Sequence, residues 1–316
     1  MTETNNNPGP QSLLPHPTPK FSTPDNLGAG QAHILIQALP YIQRFHGKTI
    51  VVKYGGNAMI NEELKAAVIQ DVVLMACVGI RTVLVHGGGP EIEVMLKKTG
   101  GESRFVNGLR YTDADTMEIV QMVLCGKVNK DITGLIQQAG GKAIGLCGID
   151  GAMLKARRIA DGDYGLVGEI AEVDTSILNS TLDSGFIPVV SSVAYGIKDT
   201  ANISDAAQPL NINADTAAAQ IAAALSAEKL ILMTDVRGIL RNVDDPDSLI
   251  KTATRAELER LKADGVIHKG MIPKVDCCAL ALDGGVQKAH ILDGRLPHAL
   301  LIELFTDEGI GTMLSL

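Results

Sequence analysis

Short apolar runs, separated by stretches of helical spacing, constrain this chain more than any other feature. Thr49-Ile50-Val51-Val52, Thr82-Val83-Leu84-Val85, Ala143-Ile144-Gly145-Leu146, Ile187-Pro188-Val189-Val190, Leu230-Ile231-Leu232-Met233 and Ala289-His290-Ile291-Leu292 are each nearly continuous in apolar side chains. Such runs suit strands buried on both faces, where an alternating pattern would mark a half-buried one. The intervals hold helical patterns around residues 62–78, 91–98, 113–138, 215–226, 254–264 and 274–283. Strand and helix in alternation predict an α/β fold with an open, mostly parallel central sheet and helices on both faces. At 316 residues, one domain or two intimately joined lobes are expected. Aromatic residues are only 3% and Trp is absent, so the core must be built from Val, Ile, Leu, Ala and Met.

The flanks differ from this pattern. Residues 1–28, rich in Asn, Pro, Ser and Thr, cannot bury enough apolar surface to offset the entropy of ordering, and a disordered tail is expected. From Ala32 to Ile42 apolar side chains recur at helical spacing, which predicts an extra N-terminal helix over 29–46; its apolar face serves either assembly or packing on its own domain. Between 151 and 175, Gly, Asp and the alternation Tyr164-Gly165-Leu166-Val167-Gly168-Glu169-Ile170 read as an inserted hairpin, either a ligand cover or an edge decoration.

Several classes are disfavoured. A formal charge of −8 argues against a broad nucleic-acid or anionic-membrane surface. No run of about 18 apolar residues supports a membrane span, and the first thirty residues lack the basic start of a secretory signal and the arginines of a transit peptide. A cytoplasmic location is expected, with a plastid after processing as the alternative. Cys77, Cys125, Cys147, Cys277 and Cys278 are odd in number and form no CxxC, so reduced core thiols are expected and neither a disulfide framework nor a zinc site.

Polar motifs follow the strand ends, the edge where such folds collect ligands. The first strand ends in Lys53-Tyr54-Gly55-Gly56-Asn57, where glycines let backbone N–H groups approach an anion and the lysine supplies charge. The second ends in His86-Gly87-Gly88-Gly89-Pro90-Glu91 ahead of a helix, a junction of orphan N–H groups and positive dipole suited to phosphate or carboxylate. Neither GxxxxGK[ST] nor GxGxxG occurs, so the nucleotide-binding mode is of another kind. Asn107-Gly108-Leu109-Arg110-Tyr111-Thr112-Asp113 places an arginine, able to grip a carboxylate or to form a surface ion pair, ahead of a helix capped by Thr112 or Asp113. Asn211-Ile212-Asn213-Ala214-Asp215-Thr216 opens an Ala-rich helix whose N-terminus faces a ligand or is simply capped. Met233-Thr234-Asp235-Val236-Arg237-Gly238 closes another buried strand, and Lys269-Gly270-Met271-Ile272-Pro273-Lys274 sets a lysine against the dipole at a helix start.

Together these motifs resemble the amino-acid kinase family and, within it, the arginine-sensitive N-acetylglutamate kinases. The likeness runs over about residues 30–316 and is specific because five separated motifs appear in family order. It implies ATP-dependent phosphorylation of the γ-carboxylate of N-acetyl-L-glutamate in arginine biosynthesis, with a lobe over 47–210 binding the amino acid and a lobe over 211–316 binding nucleotide. By resemblance, Lys53 and Lys274 would neutralise the transferring phosphoryl group and Asp215 would hold both lysines. Gly55 and Gly56 would offer amides near the phosphates, and Thr234, Asp235 and Met271 would lie by the nucleotide. Gly88 and Gly89 would bind near the reacting carboxylate, while Arg110 and Asn211 would hold the α-carboxylate and acetamido end. Mg2+ would be held mainly by nucleotide oxygens and water, with no protein metal site.

The resemblance also implies feedback by arginine, with Tyr41, His290, Glu303 and Gly311 as candidate contacts, and a homohexamer interlaced through the extra helices as a trimer of dimers. The stretches Val275-Asp276-Cys277-Cys278 and Glu228-Lys229-Leu230-Ile231-Leu232 are similar to cyanobacterial and plant members, some of which bind the PII signalling protein, a candidate partner here. One departure is Lys269, where the family usually has glycine. Other amino-acid kinase chemistries, such as those of glutamate 5-kinase or carbamate kinase, and a catalytically silent arginine sensor are the alternatives.

Overall fold

A computed structural model describes residues 26–197 and 208–316. Of the expected tail, residues 1–25 lie outside the described residues; Asn26 already starts helix α1 (Asn26–Phe45). Two units separate along this helix, residues 1–39 and 40–316. In the first, Ile34, Leu35, Ile36 and Leu39 are exposed.

The second unit carries the alternation. It runs β1 (Thr49–Tyr54), α2 (Glu62–Cys77), β2 (Arg81–His86), α3 (Gly89–Lys98), the small hairpin β3 (Phe105–Val106) and β4 (Leu109–Arg110), α4 (Ala114–Gln121), α5 (Asn129–Gln138) and β5 (Ala143–Gly148). There follow β6 (Leu154–Arg158), β7 (Gly168–Val173), α6 (Ser176–Asp183), β8 (Ile187–Gly196), β9 (Pro209–Asn211), α7 (Ala214–Ala224) and β10 (Lys229–Thr234). The chain closes with β11 (Thr252–Thr254), α8 (Arg255–Ala263), α9 (Met271–Asp283), β12 (Lys288–Asp293), α10 (Ala299–Phe305) and β13 (Thr312–Ser315). Each of the six apolar runs is a strand.

The strands lie in the order β11-β13-β12-β10-β1-β2-β8-β6-β7, with β5 and β9 also paired to β8. The central pairs β12-β10-β1-β2-β8 are parallel throughout. Every residue of β10 is buried, and so are all of β2 beyond its first. Since successive side chains point to opposite faces, both faces of the sheet must be covered. Register pairs Lys53 with Val85 and Leu232, and Tyr54 with His86, so the turns that follow β1, β2 and β10 leave the sheet side by side. Among the described residues no helix is long and apolar enough to cross a membrane.

Three local expectations meet the structure differently. The helix expected over 113–138 is interrupted: between α4 and α5 the chain widens into a π-helical stretch, Met122–Val128. Hydrophobic periodicity could not register this one-residue re-phasing, which seats Leu124 so close to the glycine turn that a Cβ on Gly88 would lie 2.6 Å from Leu124 Cδ2. The inserted hairpin exists as antiparallel β6–β7 and joins the main sheet edge through β6 and β8. Finally, the cysteines are free as expected, but only Cys277 and Cys278 are core residues; Cys77 is exposed.

Candidate active site

Helix α7 positions the central carboxylate. Asn213 is its N-cap, with the side-chain oxygen accepting the N–H groups of Asp215 and Thr216 at 2.9 and 3.2 Å. Asp215 thus stands in the first turn, where the dipole favours negative charge. Its Oδ1 lies 3.0 Å from Lys53 Nζ at the end of β1, and its Oδ2 accepts a hydrogen bond of 3.0 Å from Lys274 Nζ in α9. Packing of α9 on α7, marked by the Thr216 Oγ1 to Cys277 Sγ contact at 3.6 Å, brings that second lysine in. Burial alone would raise the Asp215 pKa, but the two ammonium groups overcome it and hold the carboxyl below its ordinary range. The result is a largely buried triad of net charge +1.

Two cavities adjoin it. The smaller, about 210 Å³, is lined by Gly87, Gly88, Gly89, Phe105, Arg110, Leu124, Val167, Ser192, Asn211, Asn213 and Ala214 among others. Arg110 Nη2 donates to the Gly89 carbonyl at 3.1 Å, Nη1 donates to Ser103 Oγ, and the guanidinium stacks on Phe105 at 4.8 Å. Burial lowers its pKa, yet arginine stays charged. Helix α3 opens at Gly88 with no side-chain cap, so its first N–H groups are available to a bound anion. Asn211 Nδ2 donates to Thr112 Oγ1 at 3.1 Å. The cavity offers a cationic fork, orphan amides and a carboxamide, a set suited to a small anionic substrate.

The larger cavity, about 330 Å³, is lined by Val236, Gly238, Ile239, Leu240, Val243, Val266, His268, Lys269, Gly270, Met271 and Lys274. A mostly apolar lining that includes Lys269 and Lys274 suits a flat ring carrying an anionic tail. Lys53 folds back over the glycine turn, for a Cβ on Gly55 would lie 2.5 Å from its Nζ. Gly56 has φ +70 and lies against Asp235, whose Oδ1 would be 2.7 Å from a Cβ there. Thr234 is buried and its carbonyl accepts from Gly294 N at 2.7 Å; it lines neither cavity. Lys269 has φ +46, a left-handed backbone that explains why glycine is the more comfortable residue there. Among the described residues no three His, Cys, Asp or Glu side chains gather as a metal site.

A family model described as the amino acid kinase family matches residues 48–293. The chain belongs to the amino acid kinase family. Acetylglutamate kinase of Clostridium beijerinckii is 56% identical over 285 residues, which cover 90% of this chain and 98% of that protein. Among solved structures, N-acetylglutamate synthase from Neisseria gonorrhoeae complexed with coenzyme A and N-acetyl-glutamate superposes with a TM-score of 0.75 at 28% identity, over 90% of this chain and 63% of that one. Carbamate kinase from Giardia lamblia bound to AMP-PNP gives 0.62 at 16% identity, over 85% and 98% of the two chains, and shows the shared fold.

This amino acid kinase carries a second polar cluster away from the triad. His290 on β12 lies 2.8 Å from Glu303 through Nδ1 and 2.8 Å from Lys229 Nζ through Nε2. Burial lowers the pKa of His290 and brings Lys229 to about 8. Glu303 Oε2 also accepts from Ile310 N at 3.0 Å. Gly311 packs on the neighbouring backbone, where a Cβ would lie 2.2 Å from the Ile291 carbonyl oxygen. Tyr41 bonds to Asp307 instead of to His290 or Glu303. Sequence reasoning did not place Lys229, a charge at the start of a strand, beside His290, and it passed over Ser103 and Phe105, which nothing but the fold brings to Arg110. Of the two caps it offered for α4, Thr112 and Asp113, the structure has Asp113, which accepts from Thr116 N at 2.8 Å.

Proposed function

We propose that this chain transfers the γ-phosphoryl group of ATP to the γ-carboxylate of N-acetyl-L-glutamate, giving N-acetyl-L-glutamyl 5-phosphate for arginine biosynthesis. The observation that carries this reading is the Lys53–Asp215–Lys274 triad: Lys274 lines the larger cavity, and Ala214, beside Asp215, lines the smaller. A carboxylate meeting a triphosphate is opposed by charge, and positioning plus neutralisation is what such a transfer needs. The nucleophile is ionised at neutral pH, so no general base is required. Lys53 and Lys274 attract the transferring group, and Asp215 keeps the two ammonium groups from separating.

In this reading residues 47–210 form most of the amino-acid lobe and 211–316 the nucleotide lobe. Arg110 and Asn211 take the α-carboxylate and acetamido end, and Gly88 and Gly89 lie near the reacting carboxylate. Gly55 and Gly56 offer amides to the phosphates, while Asp235 and Met271 border the nucleotide. Magnesium carried on the nucleotide oxygens would supply further positive charge.

Regulation follows in the same reading. Arginine would bind by His290, Glu303, Gly311 and Tyr41, the exposed Ile34, Leu35, Ile36 and Leu39 would interlace dimers into a hexamer, and PII is a candidate partner. The site of action is the cytoplasm. A hydroxamate assay for acyl phosphate tests the substrate: N-acetylglutamate should react with ATP far faster than free glutamate. Preference for free glutamate would indicate a glutamate 5-kinase activity, and no product with either would leave an arginine sensor.

A further inference from the structure

Thr112 is fully buried, and its hydroxyl lies 2.8 Å from the Arg110 carbonyl oxygen and 3.1 Å from Asn211 Nδ2. A hydroxyl has one proton and a backbone carbonyl can only accept, so the Thr112 proton must point at Arg110 O. Its lone pairs then face Asn211, and the Asn211 carboxamide must turn its NH2 toward them. The opposite face of the same carboxamide, Oδ1, has no donor among the described residues, and Asn211 lines the smaller cavity. The main chain at both ends is fixed: Thr112 N donates to Tyr164 O at 3.1 Å and Asn211 N donates to Leu166 O at 2.8 Å. Between them Gly165 allows a close pass, since a Cβ there would lie 2.2 Å from the Thr112 carbonyl oxygen. The neighbouring Asn213 is not available for the same task, because its oxygen caps α7.

From this we infer that Thr112 is a specificity-determining positioning residue: it locks Asn211 so that the amino-acid cavity presents a hydrogen-bond acceptor, which selects a substrate whose α-nitrogen still carries an N–H. The inference rests on the proposed acetylglutamate kinase activity and adds a rule to it. An acylamino group offers the needed donor. An acyloxy group of nearly the same shape offers only oxygen, which would face Asn211 Oδ1 with no proton between them. Sites that pair a substrate N–H or O–H reject analogues lacking it by large factors, because the protein group is left buried and unpaired.

The test compares kcat/KM for N-acetyl-L-glutamate and for its ester analogue 2-acetoxyglutarate in the wild-type chain, Thr112→Ser and Thr112→Val. The wild-type enzyme should prefer the amide by at least about a hundredfold. Thr112→Ser, which keeps the hydroxyl, should retain that ratio. Thr112→Val frees Asn211 to turn its NH2 into the cavity, so the ratio should fall by about tenfold or more, chiefly through KM for the two compounds, with kcat on N-acetylglutamate little changed. A general loss of packing would depress both substrates alike and leave the ratio standing. Two results overturn the inference: a wild-type chain that uses the ester as well as the amide, which needs no variant to fold, or a Thr112→Val ratio equal to wild type. A wild-type chain that phosphorylates neither compound overturns the kinase reading itself.

Discussion

The ammonium groups of Lys53 and Lys274, one at the end of the first strand and one at the start of α9, share a single, largely buried carboxylate at 3.0 Å on each oxygen. Removing that carboxylate leaves two like charges adjacent in a largely buried site, where their repulsion is poorly screened. Asp215→Asn should therefore lower kcat by about tenfold or more while KM for the amino acid changes less. Steady-state kinetics check this; kcat near wild type would show that the lysines hold their places unaided.

Gly55 lies directly under Lys53. A methyl group there would come within 2.5 Å of Nζ, and the mobile end of the lysine, not the backbone, would yield. Gly55→Ala should displace the ammonium group, lowering turnover severalfold with the thermal midpoint within a few degrees of wild type. A collapse of stability instead would locate the crowding in the main chain.

Lys269 occupies a left-handed backbone position, φ +46, at the mouth of the larger cavity. Glycine adopts that geometry without the clash of Cβ, which costs about 1 kcal/mol in other residues. Lys269→Gly should raise stability to urea by up to that amount, less what glycine loses in unfolded-state entropy.

Asp71 on α2 is buried and bonds to His298 Nδ1 at 2.6 Å; burial, against the pull of His298, pushes its carboxyl up to about 6 from 3.8. The folded value lies above the unfolded one, so the folded chain keeps a proton that the unfolded chain releases. Stability conferred by that proton is complete below about pH 3.8 and is lost as pH rises through 6. Asp71→Asn should be more stable than wild type at pH 7.5, by up to about 3 kcal/mol, with the gain vanishing near pH 4. Urea titrations at the two pH values measure it; a gain independent of pH would mean that the carboxyl is not the group responsible.

The sequence was most readable where one principle acted alone. Apolar runs such as Leu230–Met233 suited buried strands, and the run Gly87–Gly89 ahead of a helix start was legible as a candidate anion site, because orphan N–H groups and the positive dipole end meet there. Legibility ended where contacts join distant segments. Nothing local to Ser103, Phe105 or Thr112 indicates that the first two hold Arg110 or that the third orients Asn211. Those roles arise when β3, β4 and β9 are folded against one cavity. The π-helical stretch escaped for a related reason: a single added residue alters phase without altering composition, yet it decides that Leu124 presses on Gly88.

The most direct test of the central claim is turnover of Lys53→Ala and Lys274→Ala, each measured as ATP-dependent acyl phosphate formation on N-acetylglutamate alongside far-ultraviolet circular dichroism. The account predicts that each variant keeps the wild-type spectrum and loses at least about tenfold in kcat. Near-normal turnover in both would contradict it, for the two ammonium groups would then have no part in bringing the carboxylate and the triphosphate together.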